Sequence, residues 1–163
     1  MPVKERAMTR ILVAAALAAA AALVSPAALA ADSGPTPGAA PVDPDIEAGR
    51  TAIRAQNWNA AIASFSKVAA KDPRDADAQN LLGYAYRKSG NLDLAFKHYN
   101  EALKLNPKHR GAHEYIGEAY LMQGNLAKAK QHLGQLDKLC FFGCAEYDDL
   151  KKAIAAFEQK TKK

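Results

Sequence analysis

The sequence predicts an all-α fold: three copies of a helix-turn-helix unit stacked in a row and closed by one further helix. Three observations predict it. Glycine recurs at Gly49, Gly83 and Gly117, and alanine at Ala61, Ala95 and Ala129, both at one constant interval. Pro73 and Pro107 keep the same interval, and Phe65, Tyr99 and Leu133 hold the matching bulky position. Beyond the third copy, Tyr147, Leu150, Ile154 and Phe157 recur at three and four positions, the stripe of an amphipathic helix. A fixed period of roughly 20–50 residues marks supersecondary units that bury their apolar faces only against one another.

Residues 1–30 read as a secretory signal. Lys4, Arg6 and Arg10 form a positive leader, Ile11 to Val24 is an unbroken apolar run, and Ala28-Leu29-Ala30 is a small-x-small cleavage pattern. The run is shorter than the roughly 20 residues a membrane-spanning helix takes. Translation from Met1 or from Met8 gives a complete signal either way. The expected mature chain starts at Ala31 and resides in the periplasm, with no membrane span. Residues 31–43 are rich in Pro, Gly and Ala and lack large apolar side chains, so they read as a flexible leader.

The folded part is expected over residues 44–160. The first copy, about 44–73, keeps Gly49, Ala61, Phe65 and Pro73 but has Ala48 and Ala52 where the second has Leu82 and Tyr86, as a terminal copy would. Trp58 takes the place of Leu92 and Leu126 and reads as a plug between helices. The second copy, about 75–107, turns at Ser89-Gly90-Asn91, where glycine or asparagine stops a helix in the left-handed conformation. The third, about 108–138, keeps Ile116-Gly117, Tyr120, Ala129 and Leu133. Proline between copies ends each helix pair, because it cannot continue a helix and holds its predecessor extended. A glycine inside a helix costs roughly 1 kcal/mol against alanine. Its recurrence predicts close packing of the two helices of a unit, with Ala95 as the small residue opposite Gly83. A turn containing the cysteines, 139–146, and a capping helix, 147–160, complete the chain.

The stretch Leu81 to Pro107 carries Leu82-Gly83, Tyr86, Ala95, Tyr99 and Pro107 in the order and spacing of the tetratricopeptide repeat (TPR), which it resembles. The resemblance implies a short right-handed superhelix whose concave side is lined by the first helix of each unit, and a non-enzymatic role in binding a protein or peptide partner. By helical geometry the core takes Ala48, Gly49 and Ala52, then Leu82, Gly83 and Tyr86, then Ile116, Gly117 and Tyr120. Residues beside that stripe then line the groove: Arg50, Ile53 and Arg54; Asn80, Tyr84, Arg87 and Lys88; Glu114, Glu118, Leu121 and Met122. The first two units would form a basic wall and the third an acidic one, which would fix the direction of a bound peptide. Asn80, Arg87 and Lys88 only loosely match the Lys/Asn clamp with which some family members hold a terminal carboxylate.

Cys140 and Cys144 are the only cysteines in the sequence. In an exported protein so close a pair reads first as a disulfide, worth about 2 kcal/mol for its small ring, with Phe141 or Phe142 packed beneath it. Thiol redox exchange and Cu(I) handling stand as alternatives. No catalytic set is legible and no metal or cofactor site is assigned. His109 and His113 lie one helical turn apart without a third ligand in register, and the periodic glycines do not form a phosphate loop. Three basic residues and one acidic one fall in the first thirty, leaving 19 basic against 16 acidic beyond them. That balance is too mild to point to nucleic acid. The reading leaves the oligomeric state open.

Overall fold

The computed structural model describes residues 42–162, and these form seven helices with no strand among them. Helices α1 (Pro44–Arg54) and α2 (Trp58–Lys71) make the first pair, α3 (Ala76–Lys88) and α4 (Leu92–Leu105) the second, and α5 (Arg110–Met122) and α6 (Leu126–Leu139) the third. Helix α7 (Ala145–Thr161) closes the chain and packs on both α5 and α6. The expected signal and almost all of the expected leader lie outside the described residues. Asp43, assigned to that leader, is part of the fold: its carboxylate caps α1 by accepting from the Asp45 amide at 2.8 Å and lies 3.0 Å from the Lys71 ammonium.

The caps repeat with the period. Asn57, Asn91 and Asn125 each accept a backbone N–H three positions on at 3.1 Å, opening α2, α4 and α6. Each satisfies one of the amides a helix start leaves free. Asp75 does the same for α3, and the His109 ring nitrogen Nδ1 does it for α5. The turn inside each pair needs one residue in the left-handed region. Gly90 and Gly124 supply it at φ 88° and 77°. In the first pair Gln56 takes that place at φ 53°, a conformation that costs a residue with a side chain roughly 1–2 kcal/mol.

Three apolar clusters form the core, and each joins the second helix of one pair to the helix that follows. Ala61 and Phe65 pack with Leu82 and Ala85; Ala95 and Tyr99 with Ile116 and Ala119; Ala129 and Leu136 with Leu150 and Ile154. Leu82, Ile116 and Leu150 follow one another at the repeat interval, and all three are at most 2% exposed. Helix α7 is therefore in register with α3 and α5, and it stands where the first helix of a fourth pair would. It starts at Ala145, ahead of the expected start at Tyr147, with Cys144 extended as its cap and without a side-chain capping bond.

The glycine contacts differ from the expected ones. A Cβ on Gly83 would come within 2.5 Å of the Tyr99 ring, so an aromatic ring rather than Ala95 occupies the close approach. Gly49 meets Phe65 in the same way. At Gly117 the close neighbour is Leu150 of α7, at 2.6 Å, not Leu133 of its own pair. Ala48, expected in the core, is exposed. Its counterparts Leu82 and Ile116 are covered by the preceding pair, and α1 has none before it among the described residues.

Candidate partner-binding groove

Helices α3, α5 and α7 share one face of the stack and enclose a cleft of about 600 Å³. Of the groove residues expected from the sequence, Tyr84, Arg87, Lys88, Glu114, Glu118, Leu121 and Met122 line it. Helix α7 adds Ala153, Ala156, Phe157 and Lys160, and α5 adds Tyr115. Arg50 and Asn80 instead line a smaller pocket of about 270 Å³ between α1 and α3. Arg54 belongs to neither lining; it is exposed and bonds to Thr51 Oγ1 at 2.7 Å. Ile53 is half-buried against the first core cluster.

The two walls expected to carry opposite free charges are tied together. Arg87 is 9% exposed, and its Nη2 lies 2.6 Å from Glu118 Oε2. Its Nε donates to the Tyr99 hydroxyl at 3.3 Å, and its guanidinium lies 5.4 Å and 5.5 Å from the ring centroids of Tyr84 and Tyr115. A planar, weakly hydrated cation held by carboxylate, hydroxyl and two rings is a satisfied buried group, and a partner cannot use its charge without breaking the set. Burial is also the first cause that pushes the Tyr99 phenol well above its ordinary range and the Tyr115 phenol up to about 12. The basic and acidic walls therefore neutralise each other at Arg87 and Glu118. Lys88 is exposed, with its ammonium 5.6 Å from the Trp58 ring centroid. Trp58 is half-buried at the start of α2, with its ring edge-on to Tyr84 of α3 at 6.3 Å.

Glu114 departs from the expected acidic wall as well. It is 8% exposed, and burial first, then the nearby carboxylates of Glu118, Asp149 and Glu146, push its pKa up to about 8. At neutral pH its carboxyl is largely protonated. Asn80, one period earlier, is 6% exposed with its Oδ1 unpartnered.

The histidines are used structurally, and their spacing went unread in the sequence. His98 and His132 are one repeat period apart, as are their partners Gln79 and His113. His98 Nδ1 is 2.8 Å from Gln79 Oε1, and the two Nδ1 atoms of His113 and His132 are 3.0 Å apart. His113 Nε2 donates to the Pro107 carbonyl at 3.0 Å, so its Nδ1 accepts from His132. Burial holds both rings below the usual histidine range, His132 down to about 4. His109 and His113, each engaged separately, do not converge, and no group of three or more metal-ligating side chains occurs among the described residues.

The Sγ atoms of Cys140 and Cys144 are 2.07 Å apart, with Cα atoms 5.6 Å apart. Gly143, at φ 86°, turns the loop between them. Phe141 and Phe142 are not packed beneath it. They are 86% and 97% exposed, edge to face with each other at 5.1 Å.

Stacked helix pairs with a concave face lined by the first helix of each pair define a helical-repeat scaffold. Two tetratricopeptide-repeat family models match the sequence, over residues 46–108 and 86–154, and the chain belongs to the tetratricopeptide repeat family. Solved structures of the same fold include the Yersinia enterocolitica type III secretion translocator chaperone SycD, 19% identical, with TM-score 0.63 over 73% of this chain and 84% of that one. The first repeat domain of Spaghetti (RPAP3), bound to an HSP90 peptide, is 21% identical, with TM-score 0.60 over 69% of this chain and 89% of that one. PcrH in complex with the chaperone-binding region of PopD is 20% identical, with TM-score 0.61 over 72% of this chain and 89% of that one. No curated protein matches the sequence. No described helix is long and apolar enough to cross a membrane.

Proposed function

We propose that the protein is a non-enzymatic interaction module of the periplasm that takes a peptide, or an extended segment of a partner protein, into the cleft between α3, α5 and α7. The observation that carries this reading is the cleft itself. It is apolar and aromatic along Tyr84, Leu121, Met122 and Phe157, with a few charged side chains in the same lining, the mixture that binding sites show. Met122 is 54% exposed there, a large apolar side chain with no internal partner to justify it. Peptide complexes among the structures of the same fold support the class of ligand. The periplasmic assignment rests on the leader pattern of residues 1–30 and agrees with a bonded Cys140–Cys144 pair, which acts as a staple rather than as a redox or copper site.

Arg87 is unsuited to a groove test, since the side chain is itself buried and its replacement would break its contacts with Glu118 and Tyr99 and lower stability. Ala156 is exposed on the α7 wall, so Ala156→Trp fills the cleft without touching the core. Partner capture from a periplasmic extract should fall at least tenfold in this variant with the melting temperature unchanged. Undiminished capture rejects the cleft as the site. Recovery of the native protein in the cytoplasmic rather than the osmotic-shock fraction rejects the location.

A further inference from the structure

Glu114 and Glu118 line the cleft, with the α7 carboxylates of Glu146 and Asp149 near Glu114, and three of these four have a cation. Glu118 holds Arg87 at 2.6 Å. Glu146 lies 3.6 Å from Arg110, and Asp149 lies 3.3 Å from Lys152. Glu114 has neither an ion-pair partner nor a hydrogen-bond donor among the described residues, although it is more than nine-tenths buried and its side chain lines the cleft. Its carboxyl oxygens are not among the fully buried unpaired atoms, so they open to the cleft, where a ligand can complete them. The nearest fixed cation, Arg87, is already committed to Glu118 and to the rings of Tyr84 and Tyr115.

We propose that Glu114 is a specificity-determining residue of the cleft and receives a basic side chain, Lys or Arg, of the bound segment. This rests on the cleft being the partner site. An arriving ammonium or guanidinium supplies the donors Glu114 lacks and relieves its repulsion with Glu118, Glu146 and Asp149. The bond formed is a charge-assisted one, the stronger kind. The rim adds a second requirement. Lys88 and Lys160 stand at the edge of the same cleft and repel an unshielded cation. The fitting segment therefore carries one basic residue with acidic neighbours, the basic one directed inward at Glu114 and the acidic ones outward at the two lysines.

Binding also displaces a proton. In the unbound protein Glu114 keeps its proton to about pH 8. Pairing with a cation favours the ionised form, so near neutral pH each binding event releases close to one proton, and affinity rises with pH up to about 8. The groups facing Glu114 in this titration are Arg87 from α3, Glu118 and Tyr115 from α5, and Glu146 and Asp149 from α7.

The test uses the full chain and three pools of capped heptapeptides. Each pool is randomised at six positions, with the centre fixed as lysine, norleucine or glutamate. Cleft occupancy is read from amide shifts of Leu121, Met122 and Ala156, and Glu114 is titrated through its side-chain carboxyl carbon. The lysine pool is expected to bind at least about tenfold more tightly than the norleucine pool. Its occupancy should lower the Glu114 midpoint from about 8, and the preference should vanish in Glu114→Gln. Equal binding of the lysine and norleucine pools at the cleft overturns the assignment of Glu114 and leaves the cleft reading standing. A lysine preference that survives Glu114→Gln overturns the assignment too. If no pool shifts the cleft amides, the site itself is wrong.

Discussion

The second and third helix pairs meet the same packing problem with different material. In the second, Gly83 on α3 is filled by the ring of Tyr99 from α4, its own partner helix. In the third, Gly117 on α5 is filled by Leu150 from α7, while Leu133, which holds the Tyr99 position, stays half-buried. The close contact over Gly83 is made within the second pair; the one over Gly117 is made only when α7 docks. Because α7 also supplies Ala153, Ala156 and Phe157 to the cleft, the contact that finishes the core also builds a wall of the groove.

Removing the α7 filler is expected to have the largest effect. Leu150 is fully buried, and Leu150→Ala should cost about 2–5 kcal/mol by chemical denaturation while loosening α7. The two glycines sharpen the contrast. Gly83→Ala forces a Cβ against the fully buried ring of Tyr99 and should cost about 1–3 kcal/mol. Gly117→Ala meets mainly the Cδ atoms of a leucine that can shift, so it should cost less and act mostly on α7 protection in amide exchange. The opposite ranking would place α7 as the more rigid filler.

The replacement Cys140→Ser with Cys144→Ser should lower stability by about 2 kcal/mol, through the lost constraint on the unfolded chain at the entry to α7. A comparable loss in α3 exchange would show the clip acting beyond the last pair. Gln56→Gly, at the position glycine holds in the other two pairs, should raise stability by up to about 1 kcal/mol, the smallest effect of this set.

Two buried groups give opposite pH dependences. The folded pKa values of His113 and His132 lie below the usual 6.5, so the unfolded chain binds more protons, and their contribution rises with pH between about 4 and 6.5. Glu114 titrates near 8 in the folded chain against 4.5 ordinarily. The folded chain therefore holds the extra proton, and stability is lost as pH rises from about 4.5 through 8. Glu114→Gln should remove the second slope, so its melting temperature should gain on wild type steadily from pH 5 to pH 8. A constant offset would mean that Glu114 is not protonated in the folded chain.

The repeat frame was legible in the sequence because its residues obey geometry. A small residue at a constant interval, a turn glycine and a closing proline each have one physical cause. The register of α7 was legible too, in Leu82, Ile116 and Leu150, but the amphipathic stripe of residues 147–160 and the cysteines drew the reading away from it. What fills each glycine was not legible, since the period fixes where space is scarce and not which neighbour takes it. The groove was half legible. Helical geometry placed Tyr84, Lys88 and Glu114 on the cleft face, yet charge type alone could not show that Arg87 and Glu118 would pair across it. Nor could it show that burial would neutralise Glu114. Phe141 and Phe142 are exposed rather than packed beneath the disulfide, which composition cannot convey.

The dependence of the third pair on α7 is tested most directly by a double-mutant cycle between Gly117→Ala and Leu150→Ala, with Leu133→Ala as the control partner. If Leu150 fills the space over Gly117, the added methyl occupies part of the cavity that Leu150→Ala leaves. The double mutant is then more stable than the sum of the single losses by about 1 kcal/mol or more, while Gly117→Ala and Leu133→Ala simply add. Additivity with Leu150 and coupling with Leu133 would contradict the account, returning the third pair to self-sufficiency and α7 to a detachable cap.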